Sequence, residues 1–252
     1  MSRLGFRSSL LLVALGATLA AGCGSSSKSS STPSATPAPK TDPKVAALVP
    51  AAVKSKGSLT VATDASYAPV EFFAADGKTV IGIDPDLGKA LGGVMGIKLQ
   101  FKNASFDGII PGLQAGKYDL GMSAFTDTRA REKTVDFVTY YSAGTSAFEK
   151  AQGGPSVKAL ADLCGHKVSV EKGTTQQTDA TAQGKKCKAA GKPGVTVLVF
   201  PDQNAANLAL SSGRAEIAMG DSPVAAYQVK KGGGQFKLVG QTYGTAPFGI
   251  AV

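Results

Sequence analysis

Three carboxylates in this chain stand where they can do chemistry. Asp64, Glu171 and Asp221 each close a short apolar run that reads as a β-strand. Acid–base catalysis would have to fall on these three, because the chain has no nucleophile elbow, zinc-binding helix or P-loop. Thr174-Thr175 opens a helix-like segment just after Glu171, and free N–H groups at such a start favour an anion. Cys164 and Cys187 lie 23 positions apart. A bridge between them would close a loop worth about 3 kcal/mol on the chain-entropy estimate; two buried free thiols are the alternative. His166 is the only histidine and reads as a partly exposed surface residue at a strand start. With one His and no third Cys in the domain, neither a metal site nor a cofactor is expected.

The third cysteine belongs to the leader. Arg3 and Arg7 precede an apolar run from Leu10 to Ala21, too short for the roughly 20 residues a membrane span needs. The pattern is that of a secretory signal. Its end, Leu19-Ala20-Ala21-Gly22-Cys23, resembles a bacterial lipobox, in which Cys23 is lipidated and becomes the new N-terminus. Export places Cys164 and Cys187 in an oxidising space, which favours their bridge. Of residues 24–43, 14 of 20 are Ser, Thr or Pro. Such a segment buries too little apolar surface to offset its ordering entropy and reads as a tether.

The remaining chain has to position the carboxylates. Leu59–Thr63 is a strand. Asp76-Gly77 between two apolar stretches reads as a hairpin, and Asp84-Pro85 as the cap and first residue of a helix ending at Gly96. A strand at Ile97–Phe101, a helix at about Asp107–Gln114 and a strand at Tyr118–Met122 follow. Then come strand Lys167–Glu171, a helix near Thr174–Ala190 and strand Val195–Phe200. Helix Asn204–Ser211, strand Ala215–Met219, helix Pro223–Lys230 and strand Phe236–Val239 complete the run. Strands alternating with helices predict an α/β fold with mostly parallel sheets. One stretch echoes another: Leu113–Met122 and Leu210–Met219 both read as helix end, glycine turn, basic residue, acid and buried strand. Polar residues follow each, Ser123 and Thr126 after the first, Asp221 and Ser222 after the second. Two lobes facing a shared cleft at their strand ends are the expectation.

Composition narrows the functions. Hydrophobic residues make up 43% of 252 and charged residues 18%, which excludes global disorder and a polytopic membrane protein. The net charge of +9 comes from scattered lysines with no aromatic-interleaved basic stripe, so nucleic acid is not expected as a partner.

Gly57–Val252 resembles the bacterial extracellular solute-binding proteins of family 3, the amino-acid receptors of ABC importers. The resemblance rests on Val61–Pro69, Phe72-Phe73, Ile83-Asp84-Pro85-Asp86-Leu87 and Phe106–Leu113. It continues through Gly116–Leu120, Thr126–Arg131, Val135-Asp136-Phe137, Tyr140-Tyr141, Gly173–Gln176 and Asp221-Ser222-Pro223. It implies a two-lobed periplasmic-binding-protein fold of type II, closing on its ligand by hinge motion. The parts would be a signal at 1–22, the tether at 23–56 and lobe 1 at 57–139. A hinge strand at 140–146, lobe 2 at 147–243 and a second hinge strand at 244–252 would follow. The family's chains continue past Phe248–Val252, so this one is expected to be a natural truncation or a fragment that lacks part of the first lobe's cover.

The resemblance also assigns a site. Arg131, in register with Val135-Asp136-Phe137, matches the arginine that forks onto the ligand α-carboxylate; Arg129 does not. Thr126, Thr174 and Thr175 would add donors to that carboxylate. Asp221 matches the acid that takes the α-ammonium, and Tyr67 and Phe106 the aromatic walls. Asp64 and Glu171 would face the side chain and favour a basic amino acid, with a neutral polar one as the alternative. The expected protein is a monomeric lipoprotein on the outer face of the cell membrane, handing a polar amino acid to an ABC permease. An enzyme on the same fold, resembling cyclohexadienyl dehydratase, is the competing reading.

Overall fold

The computed structural model describes residues 39–252. The leader, Cys23 and most of the Ser/Thr/Pro-rich stretch lie outside them. Residues 43–56, read from sequence as part of the tether, instead form two short helices, α1 (Pro43–Leu48) and α2 (Ala51–Lys56). Asp42 caps α1 through the Lys44 and Val45 amides, and Pro43 occupies a first-turn position that needs no N–H. Lys56 ends α2 on the Asp119 carboxylate at 2.6 Å, which fastens the pair to the domain.

The first half contains β1 (Ser58–Thr63), a small antiparallel sheet of β2 (Ser66–Tyr67), β3 (Glu71–Phe73) and β4 (Val80–Ile81), and helix α3 (Ile83–Met95). Strand β5 (Lys98–Asn103), helix α4 (Phe106–Gln114) and the two-residue strand β6 (Leu120–Gly121) complete it. The 14-residue strand β7 (Phe137–Lys150) crosses to the second half. There β8 (Lys167–Glu171), α5 (Thr175–Ala189), β9 (Thr196–Phe200), α6 (Gln203–Ser211), β10 (Ile217–Asp221) and α7 (Ser222–Lys231) follow. The 16-residue strand β11 (Phe236–Ala251) returns.

Eight strands form one sheet in the order β5-β1-β6-β11-β7-β10-β8-β9. Pairing is parallel within each half, as the strand–helix alternation implies, and antiparallel at β7 and β11. The crossing strands therefore fuse the two halves into a continuous sheet. The strand read at Phe236–Val239 and the hinge read at 244–252 are one strand, whose pairing with β7 shifts register between Val239, Tyr243 and Ala246.

Valines and methionines of the strands fill both cores. Val168, Val170, Ile217 and Met219 pack with Leu163 in the second half, and Ala62, Ile109 and Phe125 in the first. Cys164 and Cys187 are bonded, with Cα atoms 5.6 Å apart, tying the turn before β8 to the end of α5. His166 is half-buried and pairs with Glu216 at 3.1 Å. The helix predicted from an Asp84 cap begins two residues earlier, with Gly82 at the cap. Gly82 has φ +127°, and a Cβ there would lie 2.3 Å from the Val70 carbonyl oxygen, so the chain turns at Gly82 and carries Asp84 inside. Asp84 caps nothing; it is wholly buried and accepts from the Tyr140 hydroxyl at 2.6 Å.

Candidate functional site

The carboxyl ends of β1, β8 and β10 deliver Asp64, Glu171 and Asp221 to one tightly closed cleft between the two halves. Tyr67, Phe106, Thr126, Arg131, Thr174 and Thr175 also line it, so all nine residues assigned from sequence come together. Arg129 is exposed and lies outside it.

Arg131 is seated from below and from both sides. Its amide donates to the Thr128 hydroxyl, and its guanidinium carbon lies 5.2 and 5.3 Å from the Phe106 and Phe125 ring centroids. Those rings stack on each other at 4.6 Å. Nη1 donates to the Thr126 carbonyl at 2.7 Å and Nη2 to the Gly173 carbonyl across the cleft at 3.1 Å. Three of its five N–H donors remain for a ligand. Burial lowers its pKa, and the charge of Asp221 opposes that shift.

Asp221 occupies the cap position of α7 but makes no side-chain cap bond. Its Oδ2 accepts from the Tyr67 hydroxyl at 2.8 Å, its Oδ1 from Gln176 Nε2 at 3.0 Å, and its own amide donates back to Tyr67. Burial pushes its carboxyl up to about 6, against the pull of Tyr67 and Gln176. Tyr67 therefore does more than the aromatic wall expected of it: its phenol bridges the two halves at Asp221, while its ring packs among Val70, Ala124 and Phe248.

Glu171 is 2% exposed, and its Oε1 is buried with no hydrogen-bond partner. Burial first, then the charges of Asp64, Asp202, Asp221 and Asp107, hold its carboxyl well above the usual range. Asp64 accepts from the Ser66 and Phe106 amides, both at 3.1 Å; burial raises its pKa against those bonds. Lys172, which could have turned inward to balance Glu171, instead reaches over the cleft to Asp107 at 2.7 Å. Thr174 caps α5 by accepting from Gln177 and donates to the Glu171 carbonyl, so its hydroxyl is committed locally. Thr175 begins the helix with its amide at the cleft. Gly173 has φ +80°, and a Cβ there would lie 3.0 Å from the Asp107 Cβ.

Sequence reasoning missed Gln176, and it placed Ser123 at a strand end facing the cleft without giving it a role. Gln176 is buried and bridges Asp221 to Thr145 at 2.9 Å. The inward phase of a polar residue in the first turn of α5 was the one signal for it. Among the described residues no cluster of His, Cys, Asp and Glu suits a metal.

Two α/β halves on paired crossing strands, closing on a buried charged cleft, define a two-lobed binding protein. The sequence profile of the bacterial extracellular solute-binding proteins, family 3, matches residues 59–232, and the chain belongs to that family. The arginine-binding protein ArgT of Corynebacterium glutamicum is 35% identical over 206 residues, covering 81% of this chain and 67% of its own. The L-arginine-binding protein of Pseudomonas aeruginosa is 32% identical over 162 residues, 64% of this chain and 60% of its own. The matches thus span about two thirds of the length of these relatives. Among solved structures, an ancestral arginine-binding protein bound to arginine superposes with a TM-score of 0.71 at 39% identity, over 78% of this chain and 84% of that one. These relatives are binding proteins, not enzymes.

Proposed function

We propose that this protein captures a free amino acid with a cationic side chain, arginine foremost, and delivers it to the permease of an ABC importer from a lipid anchor at Cys23 outside the cell. The observation that carries the side-chain preference is the orphaned Glu171 oxygen inside an acid-rich cleft. Three carboxylates face one guanidinium there. A zwitterion satisfies Arg131 with its carboxylate and Asp221 with its ammonium, and leaves Glu171 and Asp64 without counter-charge. A guanidinium or ammonium on the side chain supplies it. The donors left on Arg131 and the Thr175 amide suit the carboxylate, and the Phe106 face suits a flat cation. The names of the relatives point the same way.

A thermal-shift screen of the twenty amino acids tests this reading. Arginine, and less so lysine or ornithine, raises the melting temperature. Stabilisation by glutamate or aspartate with none by the basic set would falsify it. Fatty-acid labelling that persists in Cys23→Ser would remove the anchor from the proposal.

A further inference from the structure

Behind the cleft, outside its lining, lies a second pair of acids. Glu71 of β3 and Asp84 of α3 are both wholly buried. Among the described residues no lysine, arginine or histidine pairs with either. Glu71 Oε1 accepts from the Ser123 hydroxyl at 3.0 Å, and the Ser123 oxygen accepts from the Asp64 amide at 2.9 Å. Asp84 Oδ1 accepts from Tyr140 on β7, and Oδ2 accepts from the Ala124 amide at 3.2 Å. Ser123 and Ala124 both line the cleft. Ala124 has φ +46°, an unfavourable backbone region for a residue with a Cβ, so something must hold it there.

The remaining atom is Glu71 Oε2, buried and without a partner if both groups are carboxylates. The Asp84 amide donates to the carbonyl of Val70, the residue before Glu71, and the two acids hold the consecutive residues Ser123 and Ala124, so their side chains meet. Two acceptors facing one another satisfy neither; one proton between them satisfies both.

We propose that Glu71 is a positioning residue that stays protonated in the folded protein, donating Oε2–H to Asp84 and so locking Ser123, Ala124 and Asp64 into the floor of the cleft. The groups around it agree. Asp84 faces it from α3, Ser123 from the loop after β6 and Tyr140 from β7 beyond Asp84, while Glu171 adds negative charge from the other half. Asp84 and Glu171 oppose a second negative charge at Glu71 and burial opposes it most, outweighing the Ser123 hydroxyl bond that favours it.

The test compares wild type, Glu71→Gln and Glu71→Ala, without ligand and with L-arginine. A glutamine keeps both the acceptor for Ser123 and a donor for Asp84, and cannot ionise. Glu71 is protonated in the folded state and ionises in the unfolded chain above about pH 4.3. Wild-type stability therefore falls relative to Glu71→Gln as pH rises from about 5 to about 8. The melting temperature of Glu71→Gln overtakes that of wild type across this range, and the infrared band of a protonated carboxyl, present in wild type at neutral pH, is weaker in the variant. A pH-independent difference between the two, or no change in the band, overturns the proposal. Glu71→Gln keeps arginine affinity within about threefold, and Glu71→Ala weakens it about tenfold or more; equal loss in both variants also overturns it. This last arm rests on the proposed ligand. If arginine fails to bind wild type, that reading falls, and the unliganded melting and infrared measurements still decide the role of Glu71.

Discussion

Leu113–Met122 and Leu210–Met219 build the same device twice. Each has a glycine in a left-handed turn, Gly116 at φ +68° and Gly213 at +80°. Three residues on, an acid clasps the start of a neighbouring strand. Asp119 accepts from the Thr60 amide at 2.7 Å and donates its own amide to the Thr60 carbonyl; Glu216 does the same with Lys167, accepting at 2.8 Å. A side-chain nitrogen steadies each carboxylate, Lys56 Nζ in one and His166 Nδ1 in the other. Both strands then reach a buried methionine, Met122 or Met219. Beyond it they diverge. Ser123 lines the cleft but commits its hydroxyl to Glu71 behind it, while Asp221 turns its carboxylate into the cleft. The shared part sets the strands, and the one or two residues past it carry the chemistry.

The largest effects therefore belong to the divergent residues. Arg131→Ala and Asp221→Asn, one on each side of the cleft, each cost about 2–5 kcal/mol of binding, about 30-fold or more in Kd for arginine by calorimetry. If only one of them weakens binding, the two halves do not clamp a zwitterion together. Acid sharpens the point. Asp221 is raised from 3.8 to about 6, so its contribution to folding stability is complete below the lower value and declines as pH rises towards the upper. Binding the ammonium needs the ionised form, so affinity runs the other way. Kd rises up to about tenfold per unit below pH ~6 in wild type, and Asp221→Asn removes that slope.

An intermediate effect separates the halves. Only the second carries a disulfide. Replacing Cys164 and Cys187 by serine removes about 3 kcal/mol, read by urea denaturation. Amide exchange should rise in β8, α5 and β9 and stay unchanged in β1 and β5; a uniform rise would mean the halves unfold only as one.

The smallest effects test the likeness itself. Asp119→Ala and Glu216→Ala each cost about 1 kcal/mol of stability through the lost strand clasp, and leave the arginine Kd unchanged. Lys56 chiefly holds the Asp119 carboxyl below its usual range, and the Lys167 amide does so for Glu216; both contributions are present at neutral pH and fade as acid protonates the pair. Unequal costs, or a changed Kd, would show the two devices are not equivalent.

What the sequence made legible was what local pattern controls. The alternation of strand and helix gave the parallel halves, and the family resemblance, through the register of Val135-Asp136-Phe137, singled out Arg131 over exposed Arg129. What stayed hidden depends on residues distant in the chain. The phenol of Tyr67 meets Asp221 across 154 positions, and Ser123 reaches Glu71 across 52. Asp84 read as a helix cap and Glu71 drew no reading, because nothing local announces burial of a charge; only the packing of β3 against α3 puts them inside. The polar, glycine-rich stretch 240–245 disguised β11 as two segments, since strand propensity lapses where the pairing shifts. Residues 43–56 were hidden because their helices are held by contacts with the domain rather than by length.

The continuous sheet makes the cleft a lever. Pairing between β7 and β11 lapses at residues 240–242 and 244–245, so twist is least resisted there and the crossing strands lie along its axis. Asp221 pairs directly with Thr145 of β7, one strand spacing from that axis, about 5 Å. Glu171 ends the next strand out, β8, at about twice that radius. For any given rotation Glu171 and Lys172 sweep about twice the arc of Asp221. On the proposed function, such a rotation would part the Lys172–Asp107 pair and widen the Glu171 end of the cleft most, and the Asp221 end near the pivot least.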